Sequence, residues 1–144
     1  MATFTPSIAV PGYQPDVIPN LSDLETRERL SPAALKAFFA ILDKWEIDGI
    51  TGANLLGGLS RASIYNLKRS PRTLSQDELM RVSYIVGIYK ALHLLFSKTL
   101  ANQWMKRPND NPLFLGHTPL EYVLYQGIPG LQNVRNLLDA SIQE

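Results

Sequence analysis

The chain has 144 residues, 45% hydrophobic and 19% charged, which is apolar enough to bury a core and excludes wholesale disorder. Its net charge of +1 excludes the chain-wide basic character of non-specific nucleic-acid binders, so any such activity must come from a local patch. The absence of cysteine excludes a disulfide framework and a thiolate metal site, and suits the cytoplasm.

Residues 1–21 carry Pro6, Pro11, Pro15 and Pro19 and few large apolar side chains, so a flexible or extended arm is expected there. The arm has no basic region followed by an apolar block, so it does not read as a secretory signal. A short helix is expected over 23–29. Ser31 then reads as the N-cap of a second helix, with Pro32 at its first position. That helix carries Leu35, Phe38, Phe39, Ile41, Leu42 and Trp45 at mostly helical spacing and stops near Ile47 to Gly49. An apolar run, "TGANLLGG", follows. Ser60 caps "RASIYNLKR", which Pro71 ends.

Ser75 and Glu78 in "SQDE" form a capping box at the start of a long helix over 76–96. Its apolar stretch is broken by Arg81, Lys90 and His93, so it reads as a buried helix and not a membrane span. Another helix is expected over 97–106, then a loop through "RPNDNPLFLGH". Thr118, Pro119 and Glu121 repeat the cap, first-turn proline and capping-box pattern, and Gly127 ends that helix. A last helix fits 131–141. No period-2 alternation appears, so the fold class is all-α. Composition shifts near 72–75, which divides the chain into two expected helical units, residues 22–73 and 74–144.

The stretch "ITGANLLGGLSRASIYNLKRSP" has the parts of a helix-turn-helix: two short helices joined by a glycine turn. Ile50, Ala53, Leu55 and Leu56 are expected to pack the first helix, and Leu59, Ile64 and Leu67 to face inward. Ser60, Arg61, Ser63, Tyr65, Asn66, Lys68, Arg69 and Arg72 are then left for DNA. Between Asp48 and Asp77 stand Arg61, Lys68, Arg69 and Arg72 and no acid, which suits phosphate contacts. Arginine and asparagine can also read base edges. The bland alternative is a small helical hairpin with a solvated basic rim. Gly52 to Gly57 has the glycine spacing of a phosphate loop, but Gly58 and Leu59 stand where its Lys and Ser/Thr belong.

Chemistry-bearing clusters are missing. His93 and His117 are isolated from each other and from any carboxylate pair, so no metal ligand set is suggested. No Gly-x-Ser-x-Gly nucleophile motif is present. Asp77 and Glu78 read as first-turn acids favoured by the helix dipole. Trp45 and Trp104 read as packing anchors. Neither an enzyme nor a cofactor is expected.

The second half, through "RVSYIVGIYKALHLLF", "NQWMKRPNDNPLFLGHTPLEYVLYQG" and "VRNLLDA", resembles the toxin-binding domain shared by Xre, MbcA and ParS antitoxins. The first half resembles the Xre-like helix-turn-helix domain found ahead of it. Together the resemblance covers roughly residues 25–142 and leaves the arm uncovered. It implies an antitoxin of a type II toxin–antitoxin pair. The partner would be a RES-domain, NAD-depleting toxin, neutralised by direct contact, and the N-terminal half would bind the operon's promoter as a repressor. It also implies a toxin surface formed by Gly116, Pro119, Leu120, Gly127, Val134, Arg135, Leu137 and Leu138. Leu115-Gly116-His117 departs from the Gly-Gly-Arg common at that turn in the family. The long apolar helix suits either a monomer's centre or a homodimer contact, and a homodimer would match an operator of two half-sites. Two other readings stand beside this one: a stand-alone helix-turn-helix regulator, and a scaffold or localisation adaptor.

Overall fold

The structure, a computed structural model, describes residues 19–143, so most of the expected arm lies outside the described residues. Seven α-helices follow one another: α1 Leu24–Lys44, α2 Gly49–Leu55, α3 Arg61–Arg69, α4 Gln76–Leu95, α5 Lys98–Gln103, α6 Pro119–Gln126 and α7 Ile128–Ile142. Short 3-10 turns at Trp104–Lys106 and Pro112–Phe114 lie between α5 and α6. No strand appears among the described residues, so the all-α expectation holds.

Local chemistry sets most of the boundaries. Ser60, Ser75 and Thr118 cap α3, α4 and α6 as expected, each accepting the backbone N–H three residues on. Both expected capping boxes close, with Glu78 and Glu121 accepting from the backbone N–H of Ser75 and Thr118. Asp23 and Asp48 cap α1 and α2 in the same way.

The expected break at residues 30–31 is absent: α1 runs unbroken through Ser31 and Pro32. Ser31 does not cap a helix. Its hydroxyl donates to the carbonyl of Arg27 at 2.6 Å and accepts the backbone N–H of Leu74 at 2.8 Å, inside the core. Proline at 32 removes the donor for the carbonyl of Glu28, an exposed residue whose carbonyl water can satisfy. Continuing the helix keeps Leu30 and Ala34 packed on the core beside Leu35, Phe38, Ile41 and Leu42. Burying each large apolar side chain is worth about 1.5–3 kcal/mol, which offsets the proline.

Two helices end in the same motif. At the end of α1, Ile47 N–H reaches the carbonyl of Leu42 and Glu46 N–H that of Asp43, with Glu46 left-handed at φ 53°. At the end of α2, Gly58 N–H reaches Ala53 and Gly57 N–H reaches Asn54, with Gly57 at φ 111°. The second of these is the turn that throws the chain from α2 into α3.

The core is organised on α4, which packs against α1 on one side and α7 on the other. Val82, Ile85, Ile88, Ala91 and Leu92 are buried along it. Gly87 makes room for a side chain of α7: a Cβ there would overlap the Arg135 guanidinium, 1.6 Å away. Trp45 is buried beside Tyr89, and Trp104 packs edge-on to the buried Phe114, so both tryptophans are packing residues. His93 has Nδ1 2.9 Å from the carbonyl oxygen of Tyr89, one turn earlier. Two smaller expectations change. Ile50 is 48% exposed and does not pack α2, and α7 begins at Ile128, directly on the glycine that ends α6.

Candidate interaction surfaces

Helix α3 presents the first surface. Ile64 and Leu67 are buried and fix its inner face. Ser60, Arg61, Ser63, Tyr65, Asn66, Lys68, Arg69 and Arg72 are all exposed, so the structure leaves the whole sequence-expected set open to solvent. The set divides into two flanks. Arg61, Tyr65 and Lys68 border a groove of about 480 Å³ whose far wall includes Phe39, Asp43 and Asp48. Ser63, Asn66, Ser70 and Arg72 line a smaller depression of about 220 Å³.

The two flanks differ electrostatically. On the groove side, Asp43 and Asp48 face the α3 cations, and the N-terminus of α2 is already capped by the Asp48 carboxylate. Hydrogen bonds from Thr51 hold that carboxyl below the usual range, so it is anionic at neutral pH. A DNA phosphate is disfavoured there. On the opposite flank no acid lines the depression, and Glu78 beside it is engaged by Arg72. Arg69 lies over the Tyr65 ring at 5.4 Å, and Lys68 over the Phe39 ring at 5.7 Å, which limits the freedom of both long side chains.

Arg72 is not an independent cation. Its guanidinium donates two hydrogen bonds of 2.9 Å to Glu78, whose carboxylate also accepts from Ser75 N–H. The Arg72 hydrogen bonds hold the Glu78 carboxyl below the usual glutamate range against the opposing effect of burial. The pair fastens the end of α3 to the start of α4 while leaving half of the Arg72 side chain open.

The second surface surrounds α6. Phe114 anchors the turn before it, edge-on to both Trp104 and Tyr122 at 5.8 and 5.4 Å. Gly116 follows in an exposed turn at φ 86°, and Pro119 is buried at the first position of α6. Leu120 and Gly127 are half-buried, and Gly127, at φ 68°, is the single-residue joint between α6 and α7. Along α7 the expected set separates. Leu137 and Arg135 are half-buried, the latter paired with Asp139 at 3.0 Å. Val134 and Leu138 lie in the chain's own core and present nothing outward.

Sequence reasoning missed the apolar side chains that the second half leaves in solvent. Leu115 is 84% and Tyr125 89% exposed, with Leu124 beside the latter. Leu94, Phe96 and Leu100 form another exposed apolar corner where α4 meets α5. A helical wheel started at Thr118 would have found Leu124 and Tyr125, because Pro119 and Val123 mark the buried side of α6.

Comparison with known proteins supplies what the geometry leaves open. Residues 90–141 match the family described as the antitoxin Xre/MbcA/ParS C-terminal toxin-binding domain. The chain is also 37% identical over 110 residues to the uncharacterized protein y4oB of Sinorhizobium fredii, covering 76% of this chain and 84% of that relative. The match begins inside α4 and ends at the last turn of α7, so it contains the α6 surface and leaves out α3. No described helix is long and apolar enough to cross a membrane. The chain belongs to one family with y4oB, and its residues 90–141 match the toxin-binding domain of the Xre/MbcA/ParS antitoxins, which supports an antitoxin role.

Proposed function

We propose that this antitoxin neutralises a RES-domain, NAD-depleting toxin by direct contact and represses its own promoter through α3. The toxin-binding half of the reading is carried by the family match over residues 90–141. Residues 74–144 act as the toxin-binding unit and 22–73 as the helix-turn-helix unit. The toxin meets the α6 corner, through Gly116, Leu120 and Gly127, and the outer edge of α7, through Arg135 and Leu137. Val134 and Leu138 support that edge from inside the core, and Pro119 sets the start of α6.

The DNA half is carried by the exposed face of α3. Ser63 and Asn66 lie on the flank away from Asp43 and Asp48, Arg69 reaches phosphates from its place over Tyr65, and Arg61 and Lys68 do so from the outer rim of the groove, beyond its acidic wall. Arg72, held by Glu78, contributes a guanidinium already oriented. Two copies of the chain would present two recognition helices to two half-sites, and the apolar corner of Leu94, Phe96 and Leu100 is available for pairing. The complex works in the cytoplasm.

The test is to tag the chain in its native host, purify it after nuclease treatment and identify what co-purifies. A stoichiometric RES-domain protein is expected. Specific DNA with no protein partner would leave a plain transcriptional regulator, and a partner of another class would remove the RES assignment.

A further inference from the structure

The backbone between Phe114 and His117 carries an unusual residue. His117 N–H bonds to the carbonyl of Phe114 at 2.9 Å, closing a four-residue turn. Both central positions have positive φ, 51° at Leu115 and 86° at Gly116, as in a type I′ turn. Such a turn favours Asn-Gly, Asp-Gly or Gly-Gly, because the left-handed region is costly for a side chain that makes no local hydrogen bond. Leucine at the first central position gains nothing locally.

Folding does not explain it. Among the described residues, Glu46 is the other non-glycine with positive φ. There the conformation terminates α1, and the Glu46 carbonyl accepts a 2.8 Å hydrogen bond from Lys106. Leu115 is 84% exposed, so its side chain buries almost nothing in return. The turn is nonetheless held rigidly on both sides. Phe114 is locked between Trp104 and Tyr122, and the Thr118–Glu121 capping box fixes the start of α6 two residues beyond Gly116.

A strained residue that is over-determined by its surroundings points to function. A rigid backbone that holds a largely solvated aliphatic side chain outward presents a binding anchor whose backbone ordering entropy has been lost before association. Leu115 lies inside the matched toxin-binding domain, so the occupant of its far side is the toxin.

We propose that Leu115 is the specificity anchor of this antitoxin, entering an apolar pocket on its toxin. The proposal rests on the toxin-binding reading of the second half. Exposed His117 follows Leu115 in the same turn and stands 4.0 Å from Glu121, and the two form the rim of the same contact.

The experiment compares the full chain with Leu115→Gly, Leu115→Asn and Leu115→Met, measuring affinity for the toxin encoded beside it by calorimetry and the thermal midpoint of each free variant. Glycine and asparagine both tolerate the left-handed turn, so their midpoints should stay level or rise, while Kd rises at least about tenfold. Methionine should keep Kd within about threefold. Unchanged Kd for the glycine and asparagine variants overturns the proposal. So does a lower midpoint in both, which would make Leu115 a structural residue. A wild-type chain that does not bind the toxin at all defeats the antitoxin reading itself, and that failure shows before any variant is made.

Discussion

The α3 face and the α6 corner are built on opposite principles. On α3 the proposed functional character lies in side-chain type: a run of cations and small polar groups held outward by two buried residues, Ile64 and Leu67. At the α6 corner it lies in exposure and backbone conformation: Leu115, Leu124 and Tyr125 are ordinary core residue types that the fold leaves in solvent. A polyanion is recognised by charge, which any arrangement of arginines and lysines supplies in part. A protein partner is recognised by shape, which requires rigid presentation of apolar anchors. The first kind of surface tolerates side-chain motion, and the second does not.

That contrast can be broken most severely on the α3 side. Replacing Arg61, Lys68 and Arg69 together by alanine should weaken promoter binding by about 100-fold or more and lower the salt slope by about three, one for each phosphate contact. Affinity titrations at several salt concentrations read both quantities, and toxin affinity should stay unchanged. An unaltered slope would remove the DNA contact from α3.

A lesion in the shared core should hurt both surfaces. Gly87→Ala puts a methyl where the Arg135 guanidinium lies, so that side chain must swing aside and strain its pair with Asp139, at a cost of about 1 kcal/mol. Denaturant unfolding should show the loss, with promoter and toxin affinity falling together. Full stability would mean that Arg135 swings aside freely.

The α6 corner has a sharper handle in its cap. Thr118→Ala removes the acceptor for Glu121 N–H and should cost about 1 kcal/mol, within a range of 0.5–2. Toxin affinity should fall several-fold while promoter affinity is untouched, which calorimetry and gel shift can compare directly.

The smallest effect is in pH. Glu78, Glu121, Asp23 and Asp48 all have carboxyls lowered below their usual values, chiefly by hydrogen bonds. A lowered folded-state value adds stability that is complete above the unfolded value, about 4.3 for glutamate and 3.9 for aspartate, and is lost as pH falls through the folded one. Thermal midpoints should therefore be flat with respect to these groups between pH 6 and 8 and decline below about pH 4.3. Glu78→Gln should make that decline shallower.

These two regions also differ in how far the sequence disclosed them. Caps and stops are local chemistry, so Ser60, Ser75, Thr118, Pro71 and Gly127 fall where the chain punctuates itself. Ser31-Pro32 misleads because the same dipeptide that starts a helix can sit inside one when a partner far away in sequence uses the serine. That partner is Leu74 N–H, and nothing within a turn of Ser31 announces it. Ile50 misleads because a seven-residue helix has too few turns for its apolar positions to define one buried side. Val134 and Leu138 share a helix with Leu137, and only the placement of α4 decides which of them faces out. The exposed cations of α3 were legible because charge belongs to the residue. Leu115 was not, because a backbone dihedral belongs to the fold.

The most direct test of the account is a titration of the operon's toxin with the purified chain, following NAD consumption. The account predicts that consumption falls to zero at a fixed stoichiometric ratio, and that the Arg61, Lys68 and Arg69 triple-alanine variant gives the same curve. NAD consumption that continues unchanged with the wild-type chain in excess would contradict neutralisation of this toxin class by direct contact. A triple variant that no longer neutralises would contradict the separation of the two surfaces.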